Sequence, residues 1–361
     1  MTEPQIHVLG LPQAPTTREH YVCGFVPKIK LFCDMMVDNG YDVILYGHER
    51  CEARVAENVM CITEKERAEF LGEQPFWNAY WTLDYAMWRE MNTRQAGEVS
   101  RRKRPGDFLC MLGGTTQRPV WEANQDLRAV EFGVGYAGPW TRAIVWESRA
   151  WRQYVTGSGQ LGNVNLEPRW LDTTIWGYVD ENDLPFVGAK GEYLLYCGRV
   201  IPAKGLDVAV KVAAATGRQL IVCGPKIPGV PCELPDSVDY RGIVSVEERA
   251  ALMGGAHALI CPTTYIEPFG TIQAEAMMCG TPVIATDWGS FPEVIAQGHT
   301  GFACSSLQEF SDAVRDCGAL EPQKIRDYAV SNFGLEQARV RYAKYFEHLT
   351  GAWDTPNGQM P

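Results

Sequence analysis

Short apolar runs alternate with segments of helical spacing throughout the second half of the chain. Each run has the length of a buried strand, and in the segment that follows it apolar residues recur at helical intervals. Strands that alternate with helices form parallel sheets joined by right-handed crossovers. The sequence therefore predicts an α/β fold, with strands at 193–197, 219–223, 257–261 and 282–285 and helices at 206–216, 246–253, 270–279, 291–297 and 307–317.

The first half of the chain begins with the same pattern. Two apolar runs, Ile6–Leu11 and Asp42–Tyr46, flank a helical segment at Gly24–Asn39, which predicts a βαβ unit. Further strands are predicted at 58–62, 108–112, 129–134 and 143–146, and long helices at about 78–99 and 335–349.

The length of the chain, 361 residues, fits two domains better than one. The alternating pattern breaks down around Pro168, Gly177, Asp180 and Pro185, where turn-forming and acidic residues accumulate. We therefore predict a domain at 1–170, a linker at 171–190, a second domain at 191–330, and a C-terminal helix with a tail at 331–361 that packs back toward the first domain.

The composition describes a folded protein with an acidic balance. Lys plus Arg number 33 and Asp plus Glu number 44, which gives a net charge of −11 and argues against long-range attraction of polyanions. The twelve cysteines form no CxxC pair and several lie in apolar runs, which predicts buried reduced thiols. Neither a secretory signal nor a transmembrane segment is recognised, so a cytoplasmic location is expected.

The segment Thr263–Gly280 carries the strongest functional signal. It follows an apolar strand and leads into a helix beginning near Gly270, whose free amides and partial positive charge suit a phosphate group. Glu275 lies one helical turn beyond Thr271, a position from which a carboxylate can accept hydrogen bonds from ribose hydroxyls. Glu267, just before the helix, can reach a sugar on the other side of the diphosphate.

A second cluster, Cys197–Gly205, also follows the carboxyl end of a strand, where open α/β sheets bind ligands. Arg199 and Lys204 supply cationic donors for a diphosphate and would offset charge on a leaving group. Gly198 and Gly205 allow the backbone to approach closely.

Residues 190–320 resemble family 4 of the retaining GT-B glycosyltransferases. The resemblance lies in YLLYCGRVIPAKG, LIVCGP, the long run from DYRGIV to FPEVI, and HTGFAC, and its motif is two glutamates separated by seven residues. It implies two Rossmann-like domains that face each other across a cleft, with the acceptor in the N-terminal domain and a nucleotide-diphosphate sugar in the C-terminal domain.

The resemblance also implies roles for individual residues. The diphosphate would be held by Arg199 and Lys204, the ribose by Glu275 and the donor sugar by Glu267. Other donor contacts would come from the amides of Phe269, Gly270 and Thr271 and, around the base, from Gly198, Gly224, Pro225, Gly242, Ile243 and Val244. No cofactor is implied beyond the substrate, for which UDP is the favoured nucleotide. Loss of Lys204 or Glu267 should remove most turnover and leave folding intact.

The N-terminal half departs from the family pattern because no histidine follows the strands that usually carry the sugar-contacting one. Glu131 and Tyr136 are candidates to replace it, and a buried structural carboxylate is the alternative for Glu131. The loops expected to line the cleft and contact the acceptor contain Thr16, Thr17, Gly113, Gly114 and Thr115.

The family reaction needs no protein base, since the departing phosphate oxygen takes the acceptor's proton. No DxD triplet is present, which favours a metal-independent reaction. For the acceptor, a glycan or small molecule is favoured by the acidic charge. The basic run Arg101–Arg104 leaves hydroxymethylated, phage-type DNA as an alternative. A non-catalytic sugar-nucleotide binder is a further alternative.

Tryptophans in the N-terminal half could stack on a sugar or a base. Trp77, Trp81 and Trp88 have the spacing of one helix face, which predicts buried packing for these three instead. The sequence indicates no oligomeric state.

Overall fold

The computed structural model describes residues 4–159 and 170–354, which divide into two compact units. The first unit contains the residues up to Glu147, then Arg152–Ile175, and the segment from Ala338 onward. The second contains Ser148–Trp151 and Trp176–Gln337. Pro168, just before the predicted linker, and the predicted tail beyond residue 354 lie outside the described residues.

A parallel sheet forms the centre of the first unit. Its seven strands are β1 (Ile6–Leu9), β2 (Val43–His48), β3 (Glu57–Ile62), β4 (Phe108–Met111), β5 (Arg128–Val134), β6 (Ala143–Trp146) and β7 (Thr173–Thr174). Their spatial order is β3-β2-β1-β4-β5-β6-β7, and each neighbouring pair is parallel. The order reverses between β1 and β4, which is the switch point of a Rossmann-like sheet.

Helices connect most of these strands, whereas loops join β2 to β3 and β5 to β6. The helices are α1 (Phe25–Asp38), α2 (Glu64–Leu71), α3 (Ala86–Arg102), α4 (Arg118–Glu122) and α5 (Arg149–Gly157). The amphipathic α1 buries Phe32, which stacks on Phe132 of β5 with ring centroids 4.0 Å apart. Apolar burial of this kind is what holds helices on the sheet.

The second unit repeats this architecture with six parallel strands. They are β8 (Leu194–Cys197), β9 (Leu220–Cys223), β10 (Val238–Gly242), β11 (Ala258–Cys261), β12 (Val283–Thr286) and β13 (Gly301–Cys304), in the order β10-β9-β8-β11-β12-β13. The helices are α6 (Leu206–Thr216), α7 (Val246–Gly255), α8 (Thr271–Met278), α9 (Phe291–Val294), α10 (Leu307–Asp316) and α11 (Pro322–Phe333). The prediction of an α/β fold with two Rossmann-like sheets is confirmed.

The last helix, α12 (Leu335–Ala352), belongs to the first unit from Ala338 onward. Its Phe346 is fully buried and lies edge-on to Phe108 of β4, with ring centroids 5.0 Å apart. Tyr345 donates a hydrogen bond from its hydroxyl to the carbonyl of Leu171 at 2.6 Å. No helix within residues 4–159 and 170–354 has the length and apolar character needed to span a bilayer.

The predicted long helix at 78–99 was wrong at its start. Helix α3 begins at Ala86, because a turn closed by the Thr82 hydroxyl, which accepts from the Asp84 amide at 3.2 Å, precedes it. Trp77 and Trp81 therefore lie outside the helix, and Trp81 is 37% exposed, while Trp88 alone of the three is buried on α3. The prediction of reduced thiols is confirmed, since all twelve cysteines are free.

Candidate functional site

The switch point of the second sheet lies between β8 and β11, so the loops after these two strands frame the position at which such sheets bind ligands. The loop after β8 contains Arg199 and ends in a 3-10 turn, Pro202–Lys204. The loop after β11 contains Glu267 and leads into α8. The predicted donor residues are therefore brought to one edge of one sheet.

The central contact of the site is an ion pair between the two loops. Lys204 Nζ lies 2.5 Å from Glu267 Oε2, and both side chains are largely buried. The ammonium also lies 5.0 Å from the ring centroid of Tyr265, which the sequence did not mark as functional. Burial lowers the pKa of Lys204, but the nearby Glu267 carboxylate outweighs this and raises it overall. Lys204 is therefore protonated at neutral pH.

Backbone contacts fix the two loops against each other. The Thr264 amide donates to the carbonyl of Ala203 at 2.9 Å, which ties the β11 loop to the residue before Lys204. The Ser290 amide donates to the Glu267 carbonyl at 3.1 Å. Arg199, in contrast, is exposed, and within the described part of the chain no carboxylate forms an ion pair with it. Its guanidinium is available to an anion.

Helix α8 begins next to this ion pair. Gly270 is its N-cap in the left-handed region, φ 72°, and its carbonyl accepts from the Gln273 amide at 2.9 Å, whereas the amides before Gln273 have no partner within the helix. Phe269 is buried, and its carbonyl accepts from the Ser290 hydroxyl at 2.8 Å, so Phe269 can offer a ligand only its amide. The amides of Phe269, Gly270 and Thr271 thus lie together at the start of α8, where the sequence predicts an anion-binding end.

Glu275 lies one turn further along α8 and is 9% exposed. Its Oε1 lies 3.2 Å from a guanidinium nitrogen of Arg249 on α7. Among the described residues, no hydrogen-bond partner reaches its buried Oε2. Sequence reasoning missed Arg249, because only the packing of α7 on α8 brings it to Glu275.

The predicted base-binding residues lie at the carboxyl ends of β9 and β10. The amide of Gly224 donates to the carbonyl of Gly242 at 2.7 Å, and a side chain at Gly224 would overlap the backbone of Gly198. Pro225 and Val244 are buried, whereas Ile243 is 44% exposed. Of these residues, Ile243 offers the exposed apolar side chain.

The candidate Glu131 in the first unit is fully buried, and both of its oxygens are occupied. Oε1 accepts from the Tyr136 hydroxyl at 2.9 Å. Oε2 accepts from the amides of Trp140 and Thr141, at 2.7 and 2.9 Å, and from the Thr141 hydroxyl at 3.0 Å. The interpretation as a sugar-contacting group is therefore corrected: Glu131 is the structural buried carboxylate, and it organises the loop after β5.

Replacing Glu131 by Gln should lower the free energy of unfolding by about 1–3 kcal/mol, since an amide NH₂ would meet donors that now face carboxylate oxygens. Burial, opposed by these hydrogen bonds, raises the pKa of Glu131 from its usual 4.5. The folded state therefore binds the Glu131 proton more tightly than the unfolded state does. The contribution of Glu131 to stability is present below pH 4.5 and is lost as the pH rises through its raised pKa.

Urea unfolding of Glu131→Gln at several pH values checks this expectation. Glu122→Gln is the matched control, because Glu122 is exposed and forms a surface pair with Arg118 at 2.9 Å. It should change stability by at most a few tenths of a kcal/mol. Equal effects of the two substitutions would contradict the structural role of Glu131.

The other predicted cleft residues of the first unit differ in accessibility. Thr16 and Thr17 are buried, and the Thr17 hydroxyl lies 2.7 Å from His20 Nδ1, so the place of their loop in the cleft stays a prediction. Gly113 and Gly114 are also buried and have no side chain to offer. Thr115 is exposed and Tyr136 partly so. These two remain candidates.

Comparison with known proteins agrees with this geometry. Residues 183–330 match the family described as glycosyl transferases group 1. An alpha-maltose-1-phosphate synthase of Mycolicibacterium smegmatis is 29% identical over 197 residues, which is 46% of this chain and 50% of that protein. The chain thus spans about half the length of this curated relative.

Two solved structures resemble almost the whole chain. AviGT4, a glycosyltransferase involved in avilamycin A biosynthesis, has a TM-score of 0.69 at 18% identity and covers 96% of this chain and 98% of its own. Anabaena Alr3699/HepE, solved with UDP-glucose, has a TM-score of 0.65 at 14% identity and covers 94% and 99%. At such identities the likeness shows a shared fold. Residues 183–330, which contain Lys204, Glu267 and Glu275, thus match the glycosyl transferases group 1 family, and the two sheets of the chain have the GT-B fold.

Proposed function

We propose that the protein is a retaining, metal-independent glycosyltransferase that moves a sugar from a nucleotide-diphosphate sugar to a hydroxyl acceptor. The observation that carries the proposal is the buried Lys204–Glu267 ion pair beside the amide end of α8. A diphosphate placed there would meet a cation and free amides, and its sugar would meet a carboxylate. We place the reaction in the cytoplasm, as the sequence suggested.

Each group in the site has a task in this reaction. Lys204 and Arg199 would neutralise the charge that develops on the departing diphosphate, which is the main demand of glycosyl transfer from such donors. Glu267 would hold the sugar hydroxyls, and Glu275 the ribose. The departing phosphate oxygen would take the acceptor's proton, so no side chain is needed as a base.

For the acceptor, we favour a glycan or small molecule over DNA. The basic run that suggested DNA is already neutralised: Arg101 pairs with Glu98, Arg102 with Glu57 at 2.7 Å, and Lys103 with Asp126. Arg104 lies 3.9 Å from both Asp42 and Asp107. Paired cations attract phosphates weakly. Binding of modified DNA that weakened steeply with salt would reverse this choice.

A panel of UDP, GDP, ADP and dTDP sugars tests the donor. UDP-glucose is tested first, because Alr3699/HepE was solved with it. A donor at 100 times its dissociation constant should stabilise the protein by about 2.7 kcal/mol, seen as a raised melting temperature. Sugar release or transfer with the same donor would show catalysis and exclude a non-catalytic binder. Activity that EDTA leaves unchanged would show that the reaction needs no metal. NMR of the product's anomeric proton tests retention. If no sugar nucleotide stabilised the protein, the proposal would fail.

A further inference from the structure

The Arg249–Glu275 ion pair lies below the proposed nucleotide site. Arg249 is on α7, which begins directly after the base-binding segment Gly242–Val244. Its guanidinium lies 3.2 Å from Glu275 Oε1, and the two side chains are only 17% and 11% exposed. The buried thiol of Cys223 lies close enough to feel both charges. A largely buried ion pair of this kind holds its members in a defined orientation.

The second oxygen of Glu275 is in a different situation. Oε2 is buried, and no donor among the described residues reaches it. Burying a carboxylate oxygen without a hydrogen bond is unfavourable, and native proteins rarely leave one so. Because α8 presents its free amides one turn earlier, a nucleotide bound at those amides would supply the missing donors.

We infer that Arg249 is a positioning residue for the donor nucleotide: it holds Glu275 through Oε1 so that Oε2 stays free to accept from the ribose hydroxyls. The inference rests on the proposed function, since it assumes that a nucleotide occupies this edge of the second sheet. The ion pair fixes the rotamer of Glu275 before the ligand arrives. Such preorganisation lowers the ordering cost of binding.

A purely structural ion pair would behave differently from a positioning one. If Arg249 only stabilised the packing of α7 on α8, its loss would weaken the binding of all nucleoside diphosphates alike. If it positions Glu275, its loss should weaken only those with ribose hydroxyls. The comparison of UDP with 2′,3′-dideoxy-UDP, which lacks both hydroxyls, therefore separates the two roles.

Isothermal titration of the full chain with UDP and with 2′,3′-dideoxy-UDP tests the inference. If the donor panel selects guanine or adenine as the base, GDP or ADP and its dideoxy form are used instead. Wild type should bind UDP roughly 10- to 100-fold more tightly than the dideoxy compound, as expected for lost hydrogen bonds to a charged group. In Arg249→Met this ratio should fall to about threefold or less, with affinity for the dideoxy compound nearly unchanged. Glu275→Gln should behave similarly, and the double variant should show no further loss.

Arg315→Met is the matched control, because Arg315 is exposed on α10 and pairs with Asp312 at 3.0 Å. Arg315→Met should keep the wild-type ratio of affinities for UDP and 2′,3′-dideoxy-UDP. If Arg249→Met does not fold, Arg249→Leu, which also removes the donor to Glu275, carries the same test. A wild-type ratio in a folded Arg249 variant, or an equal loss for both ligands, overturns the inference. So does a wild type that binds both ligands equally, although donor binding would stand. A wild type that binds neither ligand refutes the proposed function itself.

Discussion

Replacing Lys204 by Met should lower transfer turnover about 100- to 1,000-fold, the usual cost of removing one preorganised electrostatic group from an active site. The buried ammonium lies between Glu267 and the ring of Tyr265 and is placed to offset charge on the departing diphosphate. Glu267→Gln should have a similar effect through the sugar. Initial rates with the donor that the nucleotide panel selects provide the measurement.

The ion pair adds an effect on stability that the sequence did not predict. Lys204 and Glu267 are both largely buried, so removing either one leaves an uncompensated charge, at a cost of about 3–5 kcal/mol. The expectation that folding would be unaffected is therefore revised. Because Glu267 raises the pKa of Lys204, the pair's contribution is fully present below the ordinary lysine value of 10.5 and is lost only at higher pH.

The double variant Lys204→Met/Glu267→Gln separates stability from chemistry. With no charge left unpaired, it should recover most of the lost unfolding free energy and still be inactive. Lys211→Met is the control, since Lys211 pairs with Asp207 at 3.1 Å on the exposed face of α6. It should change neither quantity. Near-normal turnover in a folded Lys204→Met protein would show that the site is placed wrongly.

The strands of the second sheet could be predicted from sequence because most of them are buried on both faces and form continuous apolar runs. For example, β11 and β12 were predicted to within one residue at each end. Strands β10 and β13 were missed: they lie at the two edges of the sheet, and the sequence of β10, VDYRG, has no apolar run. Edge strands expose polar side chains, so periodicity does not reveal them.

The candidate site likewise contains residues that could be predicted from the sequence and residues that could not. Lys204, Glu267 and Glu275 could be proposed because each lies in a local strand-to-helix segment whose geometry follows from the sequence. The partners Arg249 and Tyr265 could not, because contacts through tertiary packing leave no local signal. Glu131 was left open for the same reason: only the fold of its own loop shows that four hydrogen bonds already occupy its oxygens.

Replacing Gly205 by Ala should lower the free energy of unfolding by more than about 2 kcal/mol and weaken donor binding at least tenfold. Gly205 is the N-cap of α6, with φ 70°, and a Cβ there would overlap the carbonyl oxygen of Pro262 at the end of β11. The backbone would have to shift, and Lys204 would shift with it, away from Glu267. Urea unfolding and the dissociation constant of UDP report the two effects.

Gly217 provides the control on the same helix. It caps the other end of α6 with a nearly identical φ of 67°, but no atom lies within 4 Å of the position its Cβ would take. Gly217→Ala should therefore lower the free energy of unfolding by only about 1 kcal/mol, the cost of a left-handed backbone at alanine, and leave donor binding unchanged. Since the two glycines share a conformation and differ in their neighbours, any excess effect at Gly205 measures the contact between the β8 and β11 loops. If the two variants were equally stable and bound donor equally well, that contact would not position Lys204.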